Sequence, residues 1–223
     1  WRKGRLTATD AASLLGCNPY TTAYKCWQRK TGQIEEQVAN AAMLRGVRDE
    51  PIARDMFILE SKINMIPCCI ESEIHPFLGA SLDGISECGR YLLEVKSQDI
   101  SKIKETGIPV YHMCQMQKQL LCTDGIGEIC FYVSIWENEI YVIEVYPDYV
   151  WMDEYIPKAR QFWEQCVFLE PPPLSRDDYK DMNEDILWHE LAGQYKTLNE
   201  RIKSMENAKE DIKKPPGICN EHP

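Results

Sequence analysis

Hydrophobic and polar positions alternate most sharply between Tyr91 and Ser97, where Tyr91, Leu93 and Val95 interleave with Leu92, Glu94 and Lys96. That period of two predicts a strand. Successive side chains of a strand point to opposite faces, so Glu94 and Lys96 share one face. Ile66 to His75 and Leu78 to Ser86 read as paired strands leading into it, with a hairpin turn at Glu87 to Gly89 that can fold Asp83 back beside Glu94. Gly127 to Trp136 and Glu139 to Tyr146, joined at Glu137-Asn138, predict a second antiparallel hairpin.

Between these strands the spacing turns helical. Leu6 to Gly16 reads as one helix with Thr7 or Thr9 as N-cap, and Thr22 to Lys30 as a short helix ended by Gly32. Asn18-Pro19-Tyr20 is a turn, and Trp27 is most simply a core residue. Glu35 to Ser61 is helical in pattern, with a break or kink expected at Gly46 and the Glu50-Pro51 step. Asp99 to Thr106 is a polar loop or short helix, while Val110 to Cys122 and Tyr149 to Leu169 are helices. Together these elements predict an α/β fold, a central sheet flanked by helices. The run Pro171-Pro172-Pro173 marks a boundary. Asp185 to Asp211 then predicts a long helix with a coiled-coil-like stripe through Leu187, Leu191, Tyr195, Leu198, Ile202 and Met205. The domains expected are 1–170, a helical extension over 171–214, and a loose tail over 215–223 that opens with Pro215-Pro216-Gly217.

Composition narrows the class. The 223 residues are 44% hydrophobic and 27% charged, enough for one full core plus an appendage. No secretory leader pattern or bilayer-spanning apolar run occurs, so a soluble intracellular protein is expected. The chain opens on Trp1 and not Met, from which a missing native N-terminus is expected. Ten cysteines are scattered without Cys-x-x-Cys and with four histidines for company, so buried thiols are expected in place of zinc ligands or disulfides. A net charge of −10 argues against binding nucleic acid through a broad basic surface. The acidic excess is uneven, however. Residues 137–190 are rich in Asp and Glu, whereas Arg2, Lys3, Arg5, Lys25, Arg29 and Lys30 make the N-terminal part basic.

Two carboxylates and a lysine brought together suit phosphodiester hydrolysis. A hard cation on carboxylate oxygens polarises the phosphoryl group and acidifies an attacking water, and the ammonium offsets charge developing on phosphate. An isolated Glu-x-Lys is more often a surface ion pair worth ~0.2–1 kcal/mol. Here Ser81-Leu82-Asp83-Gly84 precedes Leu93-Glu94-Val95-Lys96, and the pair is flanked by apolar residues. Phosphate-loop, metalloprotease and serine-hydrolase signatures are missing.

These motifs resemble the Asp…Glu-x-Lys core of the restriction-endonuclease-like nucleases, and more closely the phage lambda exonuclease and YqaJ-type viral recombinase family, over residues from Arg2 to about Gly125. The resemblance implies a central mixed β-sheet flanked by helices and a metal-dependent 5′-to-3′ exonuclease acting on double-stranded DNA ends. Such an enzyme leaves 3′ single strands for recombination. It further implies one or two Mg²⁺ ions (Mn²⁺ substituting) on Asp83, Glu94 and the Val95 carbonyl, with Lys96 positioning the water. Arg45-Gly46-x-x-x-Glu50-Pro51-x-Ala53 resembles the family's Gly-x-x-x-Glu-Pro-x-Ala motif, which makes Glu50 a third acidic site residue. Tyr111-x-x-x-Gln115-x-Gln117-x-Gln119-Leu120 resembles the segment whose first glutamine, Gln115, sits beside the catalytic lysine. By the same resemblance Arg2, Thr7, Thr9 and Ser81 contact the terminal 5′-phosphate. Thr9 stands where the family often has serine. Members often form a ring-shaped trimer and work with a single-strand annealing protein, so a homo-oligomer and such a partner are expected, in a bacterial host's cytoplasm if phage-encoded. The competing readings are a structure- or sequence-specific DNA endonuclease on the same fold and a non-catalytic DNA-binding or scaffold protein.

Overall fold

The computed structural model describes residues 1–35, 40–179 and 182–213. The chain divides into two compact units, Trp1–Asp178 and Tyr179–Pro223. In the first, helices α1 (Ala11–Leu14), α2 (Ala23–Lys30), α3 (Ala41–Ser61), α4 (Ile100–Thr106), α5 (Val110–Leu121) and α6 (Tyr149–Phe168) surround strands β1 (Ile66–Glu71), β2 (Gly79–Ile85), β3 (Tyr91–Ser97), β4 (Ile129–Trp136) and β5 (Glu139–Val145). The sheet order is β1-β2-β3-β4-β5, antiparallel except for the parallel β3–β4 pair. A parallel pair needs a long crossover, and α4 and α5 supply it. Trp136 pairs with Glu139, so the β4–β5 turn is Glu137-Asn138, both left-handed with φ of 50° and 63°. That is the geometry whose twist matches two antiparallel strands.

Each face of the sheet buries its own apolar layer. Leu93, Val95, Phe131, Val133 and Ile135 pack with Ala53 and Phe57 of α3, the Phe57 and Phe131 rings 4.9 Å apart. The opposite layer joins Leu82, Leu92 and Tyr132 to Met116 and Leu120 of α5, Trp27 of α2, and Tyr155 and Phe162 of α6. Trp27 is buried as the sequence implies. Gly84 marks a close approach: a Cβ there would lie 2.8 Å from the Met65 Cβ and 3.1 Å from the Leu93 Cβ.

The mixed sheet with flanking helices agrees with expectation, and several boundaries differ for identifiable reasons. Leu6 to Gly16 is not one helix. Leu6 forms a parallel bridge to Leu78, and only then come a 3-10 turn, Ala8–Asp10, and the four-residue α1. Thr7 is the N-cap of that turn. The expected break in α3 is also absent: the helix runs through Gly46 and Pro51. Proline removes one helical donor, but Val47, whose carbonyl would have accepted it, is exposed and can turn to water. Asn40 caps α3, accepting from the Met43 amide at 3.0 Å, while residues 36–39 lie outside the description. β1 ends at Glu71, short of His75, because Asp124 draws the following segment into a turn by accepting from Ser72 Oγ and the Glu73 amide. Residues 99–106 resolve to a helix capped by Asp99.

Of the cysteines, Cys26, Cys114, Cys122 and Cys130 are buried as expected, but Cys69 and Cys88 are exposed; the nine within the described residues are all free thiols. No helix among the described residues is long and apolar enough to cross a membrane. The first unit extends past the proline run to Asp178, which accepts from Thr22 Oγ1 at 2.5 Å. The second unit holds the long helix α7 (Ile186–Lys213), and among the described residues of that unit no second element covers its apolar stripe. The end of structure expected at Pro215-Pro216-Gly217, and the tail after it, lie outside the described residues.

Candidate active site

β2 and β3 pair only at Gly84–Leu93 and Ile85–Leu92. Beyond Gly84 their ladder stops, and the Asp83 carboxylate fills the split, with Oδ2 accepting from the Val95 amide at 2.8 Å. Asp83 Oδ1 has no hydrogen bond among the described residues. The sequence reason is local. Glycine at 84 allows the close packing that brings β2 against β3, and the aspartate before it takes over a donor that the ladder no longer satisfies.

Glu94 is only 2% exposed and is held on three sides. Oε1 accepts from the Lys96 ammonium and from Gln115 Nε2 at 2.6 Å, and Oε2 accepts from Gln119 Nε2 at 2.5 Å. Gln119 also donates to the Ser81 carbonyl at 3.4 Å. Glutamines 115 and 119 are one helical turn apart on α5, so both reach the same carboxylate. Burial pushes Asp83 well above the usual carboxylate range, and the Glu94 charge adds to the shift. Burial disfavours the Lys96 ammonium, but Glu94 and Asp83 outweigh this and hold its pKa above the ordinary lysine value.

Glu50, expected as a third acidic residue, faces this site from α3. Arg54 Nη1 donates to Glu50 Oε1 at 2.9 Å and to the Asp83 carbonyl at 2.5 Å, and the Glu50 charge contributes to the raised pKa of Asp83. Among the described residues no three His, Cys, Asp or Glu side chains form a ready-made metal cage. The donor set nevertheless fits a hard cation: the buried Glu94 carboxylate and the half-buried Asp83 carboxylate, the latter with an oxygen that lacks a hydrogen bond among the described residues, opposed by the Lys96 ammonium.

Arg2, Thr7 and Thr9 come together in a separate cavity of about 320 Å³, lined also by Lys3, Asp10, Ser13, Asn18, Thr21, Arg29 and Lys30. Asp10 accepts from the Thr7 amide at 2.6 Å and from Thr7 Oγ1 at 2.8 Å, and pairs with Lys30 at 2.7 Å. Burial disfavours the Asp10 carboxylate, yet Lys30 and the Thr7 amide hold its pKa below the ordinary value. With Asp10 neutralised by Lys30, the cavity keeps the positive charge of Arg2, Lys3 and Arg29. Ser81 is not among its lining residues. It lies on β2 two positions before Asp83, within 3.8 Å of the Cys69 thiol.

Three participants escaped the sequence reading. Gln119 was legible as a neighbour of Gln115 on one helix face but was not assigned to Glu94. Arg54 had only its spacing from Glu50 to announce it. Lys118 is fully buried and donates to the Leu6 and Gly79 carbonyls, the latter at 3.0 Å. It thereby ties the segment carrying Thr7 and the strand carrying Asp83 to the helix carrying both glutamines.

Known proteins share this architecture. An alkaline exonuclease from Laribacter hongkongensis is 25% identical, with a TM-score of 0.62, over 76% of this chain and 91% of its own. A crystal structure of the same enzyme in complex with dAMP matches over the same shares with a TM-score of 0.63. A phage-related exonuclease from Haemophilus somnus 129PT, 13% identical with a TM-score of 0.53 over 73% of this chain and 95% of its own, shares the fold. YqaJ of Bacillus subtilis (strain 168) is 25% identical over 173 residues, which are 74% of this chain and 54% of that protein, so the chain spans about half the length of this relative. The model of the YqaJ-like viral recombinase domain matches residues 1–125, the stretch that supplies Thr7, Glu50, Asp83, Glu94, Lys96 and both glutamines, and the chain belongs to that family.

Proposed function

We propose that this protein is a metal-dependent DNA exonuclease that digests one strand of a duplex from its 5′-phosphorylated end, leaving a 3′ single strand for recombination. The observation that carries the reading is the meeting of Asp83, Glu94 and Lys96 at the split between β2 and β3, with both oxygens of Glu94 fixed by glutamines. Asp83 and Glu94, with Glu50 and the Val95 carbonyl, would hold Mg²⁺ or Mn²⁺, whose chemistry is to neutralise phosphoryl oxygens and acidify water. Lys96 directs its ammonium at the reacting phosphate, orienting the attacking water and offsetting the charge that develops. Gln115 and Gln119 keep Glu94 from rotating, and Arg54 holds Glu50 against β2. The cavity at Arg2, Thr7 and Thr9 takes the terminal phosphate through its fixed hydroxyls and excess positive charge. This local charge answers the objection raised by the net charge of −10, since only the path of the strand needs to be positive.

The test is digestion of linear duplex DNA with Mg²⁺ or Mn²⁺, comparing 5′-phosphorylated ends, 5′-hydroxyl ends and closed circles. Progressive loss of one strand from phosphorylated ends with circles spared is the expected result. Cutting of circles would convert the reading to an endonuclease. Absence of cleavage with either metal would overturn it.

A further inference from the structure

Tyr20 is tied on one side to the rim of the cationic cavity and on the other to α5. Asn18, two residues before it, and Thr21, the next residue, both line the cavity. The turn that carries it is pinned, because the Tyr20 amide donates to Asn18 Oδ1 at 2.9 Å and Asn18 Nδ2 donates to Ser13 Oγ at 2.9 Å. On its other side the Tyr20 ring meets Tyr111 edge to face, centroids 5.8 Å apart at 87°. Tyr111 stands one helical turn before Gln115 on α5 and interacts electrostatically with Lys96. Tyr20 is anchored at both ends and still 77% exposed. A tyrosine placed only to fill the core would be covered; this one offers solvent a ring whose position is fixed.

A chain of contacts thus runs from the cationic cavity through Asn18 to the Tyr20 ring, and from that ring through Tyr111 to Lys96. A nucleotide at a strand terminus has the same order: terminal phosphate, base, next phosphodiester. We propose that Tyr20 is the stacking platform for the 5′-terminal nucleobase of the strand being digested, with Tyr111 holding its ring in place. The inference rests on the exonuclease reading above and extends it to a base-binding position. Stacking on an aromatic ring suits an enzyme that must accept every base, because each base has a π face. With the terminal base stacked, the next phosphodiester is presented to Lys96 in a fixed register.

The test uses the full chain and two readouts. In the Lys96→Ala protein with divalent metal withheld, so that a bound end is not cut, a 5′-phosphorylated duplex carrying 5-iododeoxyuridine at the 5′-terminal position is irradiated and the crosslink located by mass spectrometry. The expected crosslink is at Tyr20. In cutting-competent protein, the wild type discriminates against a 5′-terminal abasic nucleotide by roughly tenfold in kcat/KM, a modest stacking contribution. Tyr20→Phe keeps that discrimination and Tyr20→Ala erases it. A crosslink to other residues only, or equal discrimination in Tyr20→Ala and wild type, overturns the proposal. If the wild type leaves phosphorylated ends uncut with both metals, the exonuclease reading itself fails, a result distinct from ends that are cut with Tyr20 dispensable.

Discussion

Leu93 and Val95 leave one face of β3 for an apolar layer with Phe57 and Phe131, while Glu94 and Lys96, interleaved with them, leave the other face for a hydrogen-bonded group with Gln115 and Gln119. The α3 side is held by area removed from water and by close packing, which tolerate small rearrangements. The α5 side has its own apolar layer around Leu92, Met116 and Leu120, but at Glu94 and Lys96 it adds directional bonds to a carboxylate that is 2% exposed, where every missing donor leaves charge uncompensated. One strand therefore combines apolar packing on both faces with chemistry confined to two side chains of one face. The apolar face supplies the rigidity against which the polar face can keep two carboxylates close together.

If that division is right, damage to each face has a different signature. Lys96→Ala is expected to lower exonuclease activity per folded molecule by about 100- to 1000-fold, with a lower unfolding midpoint because buried Glu94 loses its cationic partner, and with Mg²⁺ binding retained. Activity per folded molecule close to wild type would make Lys96 a structural ion-pair partner instead. Phe57→Ala, on the opposite face, is expected to cost about 3–5 kcal/mol in urea unfolding, while activity per folded molecule changes little. A large loss of kcat at unchanged stability would show that the two faces are not separable.

His112 sharpens the same contrast through pH. It is buried on the α5 side with Nδ1 3.3 Å from Tyr132 Oη, and burial, assisted by Lys96, pushes its pKa down to about 3. Its unfolded value is near 6.5. Between those values the unfolded chain binds a proton that the folded protein excludes, so stability contributed by neutral His112 is present above pH 6.5 and is lost as pH falls toward 3. In His112→Gln the acid arm of the stability curve should be shallower by up to about 5 kcal/mol across that window, measured by thermal unfolding. Identical acid arms would mean that the imidazole is solvated. The smallest effect is expected for Gln119→Ala, which frees Glu94 Oε2 of a donor. Activity should drop about 10- to 150-fold, the scale of one hydrogen bond to a charged group, with Gln115→Ala similar and the double variant more than the product of the two.

What could be read from the sequence follows the same line between local and distant partners. The Glu94-x-Lys96 pair, the hairpin that returns Asp83, and the α/β order of elements all come from short-range patterns, and the structure agrees with them. The N-terminal segment was misread as one helix because the partner that decides its conformation, Leu78, is far away in sequence. Arg54 and the Arg45–Ser97–Asp49 chain were invisible for the same reason, since Ser97 bonds Asp49 at 2.6 Å across 48 residues. Gln119 was different. Its face was evident from helical spacing, and what was missing was knowledge that the carboxylate opposite has two oxygens to satisfy.

The ammonium of Lys118 has a consequence in time. Leu6, whose carbonyl it holds, is 112 residues away, so the segment bearing Arg2, Thr7 and Thr9 leaves the ribosome long before the group that anchors it. Loops of that length close late. The cationic cavity is therefore among the last features to form on a nascent chain, and chains arrested before residue 118 carry Asp83, Glu94 and Lys96 without the cavity that the proposed function assigns to the DNA end.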